Sequence, residues 1–130
     1  MNVPAGLKFS KTDEWVKWDG KIATIGISDY AQEQLSDIVF VEVVVSVNEM
    51  AHKDITCATI ESVKAAADVN LPVSGKVVEV NEELSTTPER VNDDPYGKAW
   101  LLKVEMSDPS ELIPLMDADA YQLYCKEREH

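Results

Sequence analysis

Between Ile55 and Val80 the chain sets down three strand-like runs with only short turns between them. The first is Ile55-Thr56-Cys57-Ala58-Thr59-Ile60 and the second is Asp68-Val69-Asn70-Leu71-Pro72-Val73. The third, Lys76-Val77-Val78-Glu79-Val80, follows Ser74-Gly75. Each has strand-like content and is bounded by turn residues. A strand-turn-strand-turn-strand pattern suits a small flattened barrel or sandwich with one protruding hairpin.

The tip of that hairpin is Glu61-Ser62-Val63-Lys64-Ala65. It presents one lysine, whose long flexible stem ends in an amine that can be acylated. Val63 is apolar where a turn tip is normally polar, and Ala65-Ala66-Ala67 leaves one side of the lysine uncrowded. Both features suit a site that another protein grips and modifies. Taken alone, a lysine on a turn is also an ordinary solvated charge.

The flanking sequence extends the β pattern and adds three short helical pieces. Trp15-Val16-Lys17-Trp18 runs into the Asp19-Gly20 hairpin signal and returns as Lys21–Ile27. Ser28 reads as the N-cap of a helix from Asp29 to Leu35, with Ala31 and Leu35 on its apolar face. Asp37 to Val47 is nearly continuous in β-branched residues and predicts a central strand, with Asn48 to Asp54 as a polar loop. Asn81 to Tyr96 predicts a helical turn and then an ordered loop. In Ala99–Met106 the residues Trp100, Leu102, Val104 and Met106 face one way. Asp108-Pro109 starts a helical segment that Pro114 interrupts, and Asp117 caps a last helix with Tyr121, Tyr124 and Cys125 on one face.

The chain has 130 residues, which fits one domain spanning the whole length with its core at about residues 8–126, and a 45% hydrophobic content that supports a core without staples. Net charge is −12, from 24 acidic and 12 basic residues. Nucleic acid and anionic membrane surfaces are repelled by it, and partners with basic docking faces are favoured. There is no apolar run long enough to span a membrane, and Met1–Gly6 has neither a signal-peptide nor an Arg-rich transit pattern. A soluble protein is expected: cytoplasmic if bacterial, in the mitochondrial matrix if a processed eukaryotic chain. Cys57 and Cys125 read as buried small hydrophobes, although a disulfide between them is compatible with the sequence. His52 and His130 form no ligand spacing with them, so no metal site is expected. Phosphate-loop glycines and a Ser/His/Asp order are absent.

Across nearly its whole length the chain resembles the H protein of the glycine cleavage system. The segments that carry the likeness include Glu14-Trp15-Val16, Ile25-Gly26-Ile27-Ser28-Asp29-Tyr30-Ala31, Asp37-Ile38-Val39-Phe40-Val41-Glu42 and Glu61-Ser62-Val63-Lys64-Ala65. Pro72-Val73-Ser74-Gly75, Asn92-Asp93-Asp94-Pro95-Tyr96-Gly97 and Ser107-Asp108-Pro109 continue it in order. The resemblance implies a mainly β, lipoyl-domain-like barrel-sandwich hybrid with short flanking helices, one of them C-terminal. It also implies a non-catalytic, monomeric carrier with lipoate in amide linkage at Lys64, attached by lipoyl-attachment enzymes. The expected partners are the pyridoxal-phosphate glycine decarboxylase (P protein), the folate-dependent aminomethyltransferase (T protein) and dihydrolipoyl dehydrogenase (L protein). Glu14, with Thr12 and Asp68 nearby, is implied to line a cleft that shelters the aminomethyl cargo, where a carboxylate faces an ammonium. From the residues alone, Glu14 and Asp68 are ordinary surface acids.

The chain departs from the family pattern at two kinds of position. Asp13 stands where the family usually has histidine before the glutamate. Ser36, the Asn48–Asp54 loop and Ala99 stand where it commonly has glycine. These predict local backbone differences at Ser36 and in the loop, and Asp54 or a neighbour at positive φ counts against the loop part. Three other functions are compatible with parts of the sequence. A biotinyl carrier would have methionines where Val63 and Ala65 stand. A divergent H-like protein could donate lipoate to other lipoyl domains. A hydrolase could pair Glu14 with Asp68, but it lacks the surrounding groups such a site needs.

Overall fold

The structure, a computed structural model, describes residues 1–128. His130 therefore lies outside the described residues. Among the described residues, nine strands form two antiparallel sheets. The larger contains β1 (Lys8–Phe9), β2 (Glu14–Asp19), β3 (Ile22–Ile27), β5 (Met50–Ala51), β8 (Gly75–Val80) and β9 (Leu102–Met106), in the order β1-β2-β3-β9-β8-β5. The smaller contains β4 (Ile38–Val43), β6 (Thr56–Ser62) and β7 (Ala66–Asn70), in the order β4-β6-β7. The helices are α1 (Asp29–Leu35), α2 (Arg90–Asp93) and α3 (Ala118–Arg128), with 3-10 turns at Glu82–Ser85 and Pro109–Leu112. The mainly β expectation with a C-terminal helix holds.

Local chemistry explains most element boundaries. Asp19 pairs with Ile22, so Gly20 and Lys21 form the turn, one residue later than the sequence signal suggested. Gly20 takes φ +58, which a Cβ disfavours, at the first turn position. Ser28 caps α1 by accepting the Ala31 N–H at 3.1 Å, and Asp117 accepts the Ala120 N–H at 2.9 Å at the start of α3. Asp108 does the same for Ser110 before the 3-10 turn, which ends ahead of Pro114.

Three expectations are corrected. The Asp37–Val47 run is not a central strand: β4 ends at Val43 and lies at the edge of the smaller sheet. A register shift between Ile38 and Phe40 breaks its alternation, leaving Val39 and Phe40 exposed. The Asn48–Asp54 loop holds β5, which pairs with β8. Asn48 and Asp54 lie at φ +76 and +74, so the predicted escape of this loop from positive φ does not occur. Their short polar side chains tolerate the left-handed region. Ser36 lies at φ 66, ψ −147, a region used mainly by glycine. Its carbonyl accepts from Asn92 Nδ2 at 2.9 Å and its amide donates to Gln32.

Two apolar clusters fill the interior. The larger joins both sheets and includes Ile25, Val41, Ile60, Leu71, Val77, Leu101 and Val104. The smaller is aromatic: Phe9, Trp15, Tyr30, Tyr121 and Cys125. Phe9 stacks on Tyr121 with ring centroids 4.4 Å apart, and Trp15 Nε1 donates to the Pro95 carbonyl at 3.0 Å. These contacts fasten α3 to the start of the larger sheet, beside the loop that leads into Glu14.

Candidate functional site

The first two of the three sequential runs form a hairpin, while the third leaves for the other sheet. Residues Val63, Lys64 and Ala65 are the tip of the β6–β7 hairpin, and all three are exposed. The Ser62 hydroxyl organises it, accepting the Ala65 N–H at 3.0 Å and the Lys64 N–H at 3.3 Å. The Ser62 N–H donates to the Ala65 carbonyl at 2.8 Å, and the Val63 N–H donates to the Asp37 carbonyl at 3.0 Å. The backbone is thus held without help from the lysine side chain, which stays free to be modified. Val63 is 67% exposed, an apolar side chain beside the lysine, with Glu61 exposed on its other flank. Ser62→Ala is expected to lower stability by about 0.5–1 kcal/mol and to speed amide exchange at Lys64 and Ala65, read by thermal melting and hydrogen exchange.

Thr12, Glu14 and Asp68 come together on one cleft of about 190 Å³. One wall is the loop entering β2, the opposite wall is α1 through Ala31, Gln34 and Leu35, and β7 supplies Ala67, Asp68 and Val69. Thr12 and Asp68 are exposed, whereas Glu14 is 1% exposed. The reading of Glu14 as a surface acid is therefore overturned. Its Oε1 accepts from the Ser10 and Thr12 hydroxyls, each at 2.5 Å, and its Oε2 accepts the Asn70 N–H at 3.0 Å. Asn70 is brought there by the strand that starts at the lysine turn. Asp68 lies four residues beyond Lys64, at most about 14 Å along an extended chain.

Burial pushes the Glu14 carboxyl above its usual 4.5, against the lowering effect of its three hydrogen bonds. Folded protein therefore holds this proton to higher pH than unfolded chain. The stabilising contribution is complete below pH 4.5 and is lost as pH rises through the folded-state value. A carboxyl-carbon NMR titration is expected to give a midpoint above 4.5, and Glu14→Gln is expected to remove that component of the pH–stability profile. An ammonium entering the cleft favours the charged carboxylate and so draws the midpoint down.

Asp13, between Thr12 and Glu14, also lines the cleft, and its carboxylate is held from the C-terminal helix. It takes φ +77. Its carboxylate receives Arg128 Nη2 at 2.6 Å and the Tyr121 hydroxyl at 2.8 Å. Sequence reasoning saw Asp13 only as a missing histidine. The available signal was an arginine in the last turn of the C-terminal helix, but nothing in the sequence pairs residues so far apart. Cys57 and Cys125 are both buried free thiols, and burial, with the Glu14 charge next in effect, pushes Cys57 up to about 12. Among the described residues no group of three or more His, Cys, Asp or Glu side chains could hold a metal ion, and no helix is long and apolar enough to cross a membrane.

Comparison with known families decides what this arrangement belongs to. The family model described as glycine cleavage H-protein matches residues 7–128. The chain belongs to the glycine cleavage H-protein family. A glycine cleavage system H protein of Thermotoga maritima is 53% identical over 118 residues, covering 91% of this chain and 94% of that one. One from Halothermothrix orenii is 48% identical over 129 residues, covering 99% and 100%. The crystal structure of a glycine cleavage system H protein from Mycobacterium marinum matches with TM-score 0.85 at 28% identity, over 98% of this chain and all of that one. The two-sheet architecture is thus that of the H-protein family, barrel-sandwich in kind. Membership supports the role of a lipoyl carrier in the glycine cleavage system.

Proposed function

We propose that this chain is lipoylated on Lys64 and carries the aminomethyl group of glycine from the P protein to the T protein, with the L protein restoring the carrier for the next cycle. The observation that carries this reading is the pairing of an exposed lysine, on a turn held by Ser62, with a nearby cleft containing a buried carboxylate. The chain fits the group in two respects: the lysine side chain is free, and the cleft's charge suits an amine. When bound, lipoate supplies the disulfide and dithiol chemistry on which the cargo is loaded and released.

The protein's part is presentation and shelter. Acylation removes the Lys64 charge while keeping its flexible stem. Glu14, oriented by Ser10, Thr12 and the Asn70 amide, faces the cationic cargo, with Thr12 and Asp68 as further oxygen ligands. The apolar part of the cleft lining, Ile27, Leu35, Ile60 and Val69, limits the water around that cation. The family supports the role of a carrier subunit, with the bond-breaking steps left to the partner enzymes. Its net charge of −12 suits basic docking faces on the partner enzymes and the lipoyl-attachment enzyme, and disfavours nucleic acid and anionic membranes. A monomer in the cytoplasm fits the bacterial relatives.

Intact-mass measurement of protein from its native cell tests the central claim. A single lipoyl-amide increment is expected, mapping to the peptide that contains Lys64. Native protein at its unmodified mass in cells that actively cleave glycine would defeat the reading.

A further inference from the structure

Helix α3 reaches both walls of the Glu14 cleft. The Tyr121 hydroxyl lies 2.8 Å from Asp13 Oδ1 on the entering loop and 2.6 Å from Ser28 Oγ at the cap of α1. Asp13 as a carboxylate only accepts, so Tyr121 spends its proton there, and the Ser28 hydroxyl must donate to Tyr121. The relay is one-directional: Ser28 to Tyr121 to Asp13. Arg128 makes a second bridge. It donates to Asp13 at 2.6 and 3.2 Å while its guanidinium stacks over Tyr30 of α1 at 4.4 Å and over Tyr124 at 4.1 Å. Tyr124 in turn donates to the Lys11 carbonyl at 2.8 Å. The walls also touch directly, through the Ser28 N–H donating to the Asp13 carbonyl at 2.9 Å.

Asp13 is the point where these contacts converge, and its backbone is left-handed at φ +77. It lies between Thr12 and Glu14, so a change in its conformation redirects both cleft side chains. We propose that the C-terminal helix is the clamp of the cargo cleft: Tyr121 and Arg128, acting through Asp13 and Ser28, set the separation of its two walls. Tyr121 and Arg128 are positioning residues, because neither lines the cleft. The inference rests on the reading of the cleft as the cargo shelter, and it makes retention of the cargo depend on a helix outside the cleft lining.

The test compares wild type with Tyr121→Phe, which keeps the ring stacked on Phe9 and removes only the hydroxyl. In lipoylated protein loaded with the aminomethyl group and kept apart from the T protein, the first-order loss of cargo is expected to be about five- to tenfold faster in Tyr121→Phe. In the unmodified protein, with no cargo present, amide exchange at Ser28 and Asn70 is expected to speed up by a similar factor. Oxidation of the unloaded dihydrolipoyl group by the L protein is expected to stay unchanged. Glu14→Gln is run alongside to separate the two claims. If Glu14→Gln sheds cargo faster and Tyr121→Phe does not, the clamp is overturned and the shelter stands. If neither variant changes the loss rate, both are overturned. Should Tyr121→Phe fail to fold, Arg128→Gln and Arg128→Lys replace it: faster loss in the first with retention in the second supports the clamp, and any other pattern overturns it.

Discussion

Lys64→Arg is expected to abolish carrier function and leave the fold untouched. The side chain is exposed, and every hydrogen bond that shapes the turn comes from Ser62 or from backbone groups. Surface substitutions of this kind change stability by about 0.5 kcal/mol or less. Arginine keeps the positive charge and the long stem, but its guanidinium stays protonated and does not form the amide. In a reconstituted glycine cleavage assay, carbon dioxide release is expected to fall to the level seen without carrier, while the melting temperature matches wild type. Retained turnover in Lys64→Arg would place the carrier function elsewhere on the chain. A drop in melting temperature would show that the lysine has a structural role that its exposure does not suggest.

Gly75→Ala is expected to produce the largest loss of stability among the glycine-to-alanine changes. A Cβ built at Gly75 lies 2.3 Å from the Glu105 carbonyl oxygen, 2.8 Å from its carbon and 3.1 Å from the Met106 Cα. These are backbone atoms of the neighbouring strand, so no rotamer change relieves the clash. Gly75 pairs with both Met106 of β9 and Ala51 of β5, and separating it from one disturbs the other. A cost of about 3 kcal/mol corresponds to a fall of roughly 10 °C in melting temperature for a chain of this size. At Gly20, by contrast, no atom lies within 4 Å of an added Cβ, and the cost is only that of the positive φ, about 1 kcal/mol. Thermal melting of the two alanine variants distinguishes steric exclusion from backbone preference.

Features determined by neighbours in sequence were legible before the structure. The β2–β3 hairpin, the Ser28 and Asp117 caps and the Lys64 turn each depend on a few consecutive residues. Features determined by distant partners were not. Glu14 reads as one acid among 24, yet it is buried, with Asn70, fifty-six positions away, donating to it and α1 residues lining the same cleft. β4 has the composition of a central strand but pairs only with β6, and a register shift, invisible in composition, accompanies the exposure of Val39 and Phe40. Asp13 looked like a loss and has a different set of partners. The resemblance brought Thr12, Glu14 and Asp68 into one expectation, and all three line one cleft.

Both cysteines are wholly withdrawn from solvent, and this bears on how a lipoyl carrier survives its own chemistry. Exchange with a disulfide requires a thiolate that can reach the sulfur. With its pKa raised to about 12, Cys57 supplies roughly one thiolate in 10⁵ molecules at neutral pH, and Cys125 is enclosed by the aromatic cluster. Neither can capture the prosthetic disulfide as a dead-end internal adduct. With lipoate on Lys64 as proposed, the thiols offered to other proteins would be those of that group, because both cysteine thiols are buried.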